Sequence, residues 1–227
     1  MKVSILLITI TAAMLFFGSC KKSGSDGTAT NSTLQFQLKA DNPLVTVNKP
    51  GGQASILWTS GSAAATQEKL EAKKNENQLE FTSSDLQQID LFGSLIANMG
   101  NIAITAGTYT EVEFKITVNQ NGTNPALELN GQYTSGTGVV TPVVFSLNSL
   151  FVLKAEQANV IVTGNSTTTA LTTLDLSMVS TGITQSMLNS AALTNGVTVI
   201  STASNSNLYT IITNNLLQFH HVEVSHH

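Results

Sequence analysis

The chain has 227 residues, a formal net charge of −4, no arginine and a single cysteine. That balance gives no electrostatic reason to bind nucleic acid, and one cysteine closes neither an intrachain disulfide nor a structural zinc site. Only 11% of the residues are charged, which argues against long helices with charged outer faces, whereas the many Thr, Val and Ile residues suit pleated, half-buried strands.

Residues 1–19 have the parts of a secretory leader: Lys2, an apolar run from Val3 to Phe17, and the small pair Gly18-Ser19. At 15 residues the run is shorter than the roughly 20 needed to cross a bilayer core as a helix. Cys20 follows directly, and the stretch resembles the bacterial lipobox, where the sulfur receives diacylglycerol and a signal peptidase cuts just before it; Phe17 stands where Leu is usual. A catalytic thiolate needs a base nearby, and the four histidines, His220, His221, His226 and His227, lie at the far end of the chain. Cys20 is therefore read as a lipidation site. At about 0.8 kcal/mol per buried CH₂, two or three acyl chains make the attachment effectively permanent. Residues 20–33 read as the lipidated cysteine and a Ser/Gly/Thr-rich tether spanning roughly 20 Å, and residues 34–227 as one β-sandwich domain. The expected location is the cell envelope, at the outer membrane, with neither leaflet favoured.

Along the body, Leu34, Phe36, Leu38 and Ala40 alternate with Gln35, Gln37 and Lys39, the period of a strand with one wet face. Trp58 shares strand parity with Ile56, which favours a core position over a sugar-stacking platform. Residues 67–80 are good helix formers between strand-like runs and are expected to form a hairpin. Val112, Phe114, Ile116 and Val118 form an inner row against Glu111, Glu113, Lys115 and Thr117. Two carboxylates on one strand read as a solvated face, because a retaining glycosidase holds its pair about 5–5.5 Å apart across a cleft. The sequence "NQNGTN" has calcium-loop spacing but neutral Asn in place of carboxylates, and reads as a turn.

Residues 139–147 and 159–163 are apolar enough for strands covered on both faces, with Pro142 at an edge or bulge. Leu174, Leu176 and Met178 alternate with Asp175 and Ser177 as a further strand. Pro50-Gly51-Gly52, Asn121-Gly122, Asn130-Gly131, Gly164-Asn165 and Asn195-Gly196 supply turn chemistry. Two short helices are expected near the C-terminus. One starts on Thr184 and stops at Asn195-Gly196; the other carries Leu208, Ile211, Ile212 and Leu216 at i, i+3, i+4 and i+8. The fold class that follows is all-β, an antiparallel sandwich with one or two helices. If the tail is extended, His221, Glu223 and His227 fall on one side as an imidazole and carboxylate set able to hold a divalent ion. They are the candidate metal ligands, set against a frayed polar terminus, and no cofactor is expected.

With the lipobox and "CKK", the phrases "ILWTSG", "KLEAKK", "IDLFG", "AGTYTEVEFKI" and "LNGQYT" together resemble lipoproteins of Bacteroidota-type Gram-negative bacteria that carry a domain of unknown function. The resemblance covers most of the chain after Cys20. It implies a transthyretin-like or immunoglobulin-like β-sandwich and envelope attachment, with no catalytic residues to carry over. The expected role is non-enzymatic, in binding or envelope architecture, with membrane contact through the lipid on Cys20 and a protein or glycan ligand. A surface glycan-binding or adhesin-like lipoprotein is the alternative. A fimbrial subunit matured by cleavage after Arg is disfavoured, since the chain has no Arg.

Overall fold

The computed structural model describes residues 31–47, 54–84, 87–93, 97–217 and 220–226. The leader, Cys20, the tether up to residue 30, Pro50-Gly51-Gly52 and His227 lie outside the described residues. In chain order the elements are β1 (Asn31–Asp41), β2 (Leu44–Val47), β3 (Ala54–Lys74), β4 (Asn77–Ser83), β5 (Gln87–Asp90), β6 (Ala97–Thr105), β7 (Gly107–Val118), β8 (Leu127–Thr134), β9 (Val140–Leu147), β10 (Phe151–Val162) and β11 (Thr167–Asp175). There follow α1 (Leu176–Val179), α2 (Gln185–Asn189), β12 (Leu193–Thr194), β13 (Val197–Ile200), α3 (Ser206–Leu216) and β14 (His220–His226). The protein is mostly β with few helices, and the larger sheet curls like half a barrel.

β3 organises that sheet. At 21 residues it runs about 70 Å at 3.3 Å per residue. Its inward residues change parity twice: Ala54, Ile56 and Trp58, then Ala63 and Ala65, then Leu70 and Ala72, all buried. The changes coincide with register shifts at Trp58/Ser60 against β8 and at Ala65/Gln67 against β7. An extra residue at a bulge flips the side-chain alternation, so two bulges return the same face to the core three times along the strand. β7 pairs with the C-terminal half of β3 and β8 with its N-terminal half, while β5 holds the opposite edge where they meet. Residues 107–134 therefore amount to one long antiparallel strand with residues 119–126 looped out. β9 and β10 repeat the pattern one place further, β9 on β8 and β10 on β7.

The smaller sheet has the order β14-β11-β1-β6. Two pairings are parallel, β1 with β11 and β9 with β13, so the sheets are mixed where an antiparallel arrangement was expected. Alternation specifies which face of a strand is dry but not which neighbour it takes, and long crossovers separate both parallel pairs. Strand β1 starts at Asn31, so residues 31–33, read as tether, belong to the folded body.

Several local expectations hold. Leu34 and Leu38 of β1, the inner row of β7, and Leu208, Ile212 and Leu216 of α3 are buried in one core cluster. Residues 67–80 form the β3–β4 hairpin, turned by Asn75 at φ 55°. Others fail for identifiable reasons. The strand through Leu174 stops at Asp175, whose carboxylate accepts from Ser177 N at 2.9 Å and Met178 N at 3.3 Å and so starts α1. Leu176 and Val179 are then buried and Met178 faces out. Thr184 caps α2 as expected, accepting from Met187 N at 3.3 Å. The helix ends at Asn189, however, and Asn195-Gly196, at φ 52° and 82°, turns β12 into β13 instead. Asn130-Gly131 lies inside β8, not at a turn. A Cβ on Gly131 would stand 2.5 Å from the Leu57 carbonyl oxygen, so this glycine serves close backbone approach. The run 159–163 alternates, with Val160 and Val162 buried and Ile161 59% exposed, so only one face is covered. β9 likewise buries Val143, Phe145 and Leu147 alone. Pro142 sits just outside the β13 pairing, where its missing N–H goes unused.

On the outer face at the far end of β3, the register lines up Glu80, Glu71, Glu113 and Glu156 in one row across four strands, with Lys69, Lys115 and Lys154 in the next. Like charges directly opposite repel, so contacts run along the strands and across diagonals. Lys69 lies 2.7 Å from Glu71 and 3.1 Å from Glu80, Lys154 lies 3.0 Å from Glu156, and Glu113 contacts both Lys115 and Lys154. Burial works to raise the Glu113 carboxyl, but the two ammonium groups outweigh it and hold the group below the ordinary 4.5; Lys69 does the same for Glu71.

Because both folded-state values are depressed, the unfolded chain binds more protons as pH falls through this range. The stability these groups contribute is complete above about pH 4.5 and is lost as acid reaches their folded values. Melting temperature should therefore drop between pH 6 and pH 3, and Glu113→Gln should flatten that dependence; an unchanged slope in the variant would contradict the pairing. Gly131→Ala should cost about 1–3 kcal/mol through overpacking, read as a lower urea midpoint with an unchanged m-value.

Candidate functional site

Three segments from the C-terminal half of the chain meet beside the hairpin of β8 and β9. The first is the turn Ser135–Val139. It is closed by Ser135 N donating to Val139 O at 2.8 Å and by Ser135 Oγ, which accepts from Val139 N at 3.0 Å and pairs with Thr137 Oγ1 at 2.9 Å. The second is α2, which places Gln185, Leu188 and Asn189 on one side at i, i+3 and i+4. Tyr133 on β8 donates its hydroxyl to Asn189 Oδ1 at 2.7 Å and docks the helix. The third is the β12–β13 hairpin, stapled from outside by Asn205. That side chain donates to Ala192 O at 3.0 Å and Val199 O at 2.8 Å and accepts from Ala192 N at 2.9 Å. Asn205 stands at φ 51°, a left-handed conformation that Asn tolerates better than most residues.

Together they enclose a cleft of about 340 Å³. Hydroxyls from Tyr133, Ser135, Thr137, Thr141 and Thr198 and the amides of Gln185 and Asn189 line it, with Leu188 and Leu193 for apolar contact. Every lining side chain is uncharged at neutral pH, and burial pushes the Tyr133 hydroxyl above its ordinary value, which keeps it a donor. Gln185 is only 7% exposed, and its Oε1 is buried without a hydrogen-bond partner. The turn lies close over it: a Cβ on Gly136 would stand 3.2 Å from Gln185 Nε2 and 3.4 Å from Oε1. A buried acceptor left unpaired costs about 1–3 kcal/mol. Around it, Asn205 and Tyr133 are satisfied, so the unpaired acceptor singles out this cleft.

A second cleft, of about 380 Å³, lies between β4 and β6. Its Lys74 already donates to Ala106 O at 2.6 Å and sits 5.7 Å from the centre of the Tyr109 ring, and Tyr109 donates to Thr105 O at 2.8 Å. With its charged and phenolic groups engaged, it offers less to a ligand.

The residues singled out from sequence lie elsewhere. Glu111 is paired with Lys73 at 2.9 Å and Glu113 with Lys115 and Lys154 on the outer face of the sheet. Trp58 is 1% exposed and donates Nε1 to Ser180 Oγ at 3.2 Å, as a core residue. His221 and Glu223 belong to β14, paired in register with Thr173 and Leu171, while His227 lies outside the described residues. Among the described residues there is no group of three or more His, Cys, Asp or Glu able to hold a metal ion. The cleft residues themselves escaped sequence reading, for they are common Ser, Thr, Asn and Gln positions scattered over 133–198. The helix expected after Thr184, the strand expected over 139–147 and the phrase "LNGQYT" pass through them, but none of these signals brings the segments together. No family model, curated protein or solved structure matches the chain.

Loss of the Tyr133 hydrogen bond in Tyr133→Phe should cost about 1 kcal/mol. Asn205→Ala, which strips partners from three backbone groups at once, should cost more. Urea denaturation of both variants tests the order, and a milder effect at Asn205 would contradict its role as a staple.

Proposed function

We propose that this chain is a lipid-anchored envelope protein that acts by binding, through the neutral cleft beside α2, and not by catalysis. The observation that carries the binding half is the cleft lining: hydroxyls and amides in quantity, apolar contact from Leu188 and Leu193, and a buried acceptor on Gln185 with nothing to accept. Such groups recognise a ligand; proton transfer at neutral pH needs a titrating group among them. The attachment half rests on the lipobox-like stretch ending in Cys20 and the polar tether behind it. Among the described residues no helix is long and apolar enough to cross a membrane, and lipid on Cys20 supplies the anchor.

The two sheets are read as opposed faces of one β-sandwich of the transthyretin-like or immunoglobulin-like kind. Membership of Leu34 and Leu38 from the smaller sheet and Ile56 and Trp58 from the larger in a single core cluster supports that reading. The outer membrane is the proposed location, as the resemblance to envelope lipoproteins implies.

Feeding cells an alkyne fatty acid and recovering the protein from the membrane fraction tests the anchor. The native chain should carry the label and partition with membranes, and Cys20→Ala should lose the label. Equal labelling of the variant, or recovery of the native chain in detergent-free extract, would overturn the assignment.

A further inference from the structure

We infer that the cleft between the Ser135–Val139 turn and α2 is a saccharide site, in which a hydroxyl of an uncharged sugar donates to Gln185 Oε1. The inference rests on the binding role proposed above and names the ligand class.

Charge disfavours most alternatives. An ionised ligand is held most strongly where a group of opposite charge meets it, and the side chains lining the cleft are all uncharged, which favours a neutral ligand. A purely apolar ligand would leave the Gln185 acceptor unpaired and would cover neighbouring polar groups without offering them a hydrogen bond, which costs binding. A sugar ring meets both constraints: its hydroxyls both donate and accept, and its C–H face packs on aliphatic side chains such as Leu188 and Leu193. The volume of about 340 Å³ lies at the small end of ligand sites, which run from roughly 300 to 1,000 Å³. That is suited to a terminal unit and not to a long chain laid in a groove.

Gln185 makes the site specific for a donor. An acceptor that is buried and unpaired in the free protein, on a residue only 7% exposed, gains most from a ligand O–H, because none of that hydrogen bond is exchanged against water. Access is gated by the turn. Gly136 lies close to the Gln185 amide, with room for no Cβ without contact, and since Oε1 is buried the ligand hydroxyl reaches it when the Ser135–Val139 turn lifts or when the amide rotates about its last torsion. Asn189, whose Oδ1 is taken by Tyr133, would offer its remaining amide N–H groups to the same ligand as donors.

The test uses the full chain in a sugar-free detergent. Saturation-transfer NMR and calorimetry are run with glucose, galactose, mannose, N-acetylglucosamine and their uncharged oligomers, with uronic acid oligomers as the charged arm. Binding of at least one neutral sugar is expected, weakened tenfold or more in both Gln185→Leu and Asn189→Ala. Gln185→Leu should also melt higher than the native chain, since it removes an unpaired buried acceptor, whereas a merely structural glutamine would make it melt lower. No neutral sugar bound, or binding unchanged in both variants, overturns the inference. Uronate binding lost in the same variants also overturns it while leaving the binding role standing, and failure of every ligand with a correctly anchored protein leaves only the envelope assignment.

Discussion

Keeping one face of β3 dry over 21 residues is the constraint from which the larger sheet follows. A strand that alternates strictly would hold one side chain set inward only while the sheet stays regular, and a sheet this long twists and curls. The bulges near Thr59 and Thr66 absorb that curl, since each inserts a residue, bends the strand and resets the alternation. The neighbouring ribbons take their breaks from the same places. Residues 119–126 loop out where β3 has just passed from its β8 partner to its β7 partner, and the outer ribbon changes from β9 to β10 alongside. One strand thus joins two environments, an ion-paired far half and a near half packed with helices.

The near half is held by neutral groups. Asn215 on α3 donates to the Val179 and Thr181 carbonyls at 3.0 and 2.7 Å, tying α3 to α1. Trp58 reaches Ser180 from β3, and Asn205 closes the hairpin on the other side. Asn215 and Asn205 thereby satisfy backbone groups that helix ends and tight turns leave over, while Trp58 and Ser180 join side chain to side chain. Asn suits the task because one amide both donates and accepts. It also carries the positive-φ positions that glycine does not among the described residues, with Asn42, Asn75, Asn159, Asn165, Asn195 and Asn205 all left-handed. This explains how a chain with so few charged residues fixes several short elements in place, and why the cleft they form is uncharged.

What could be read in advance follows from the range of each signal. The inner rows of β1 and β7 and the stripe of α3 were legible because burial on one face imposes a period on the sequence itself. The hairpin at Asn75 was legible because strand-like runs bracketed it. Asp175 was misassigned because a carboxylate at an outward strand position and one at an N-cap have the same local pattern; only the backbone at residue 175 separates them. Asn130-Gly131 was misassigned because glycine serves both turns and close approach, and its partner Leu57 is distant in sequence. The parallel pairs and the cleft depend wholly on which distant segments meet. Gln185 and Asn189 share the i, i+4 spacing of a helix, but nothing in the sequence ties that helix to Tyr133.

The separation of charge along β3 bears on what the molecule can recognise and how strongly. In the far half the three lysines of one row contact the four glutamates of the next, an excess of a single negative charge, so that surface has little net field to draw in a charged partner. Recognition at the proposed site would fall to neutral hydrogen bonds, which salt screens little and which add about 0.5–1.5 kcal/mol each against water. A few of these with modest apolar contact place a single site between about −4.1 and −8.2 kcal/mol, the millimolar to micromolar range. A weak site of this kind becomes effective when many copies share one surface, because neighbouring copies raise the effective concentration for a ligand that repeats. The lipid proposed on Cys20 would do that by confining the protein to a plane.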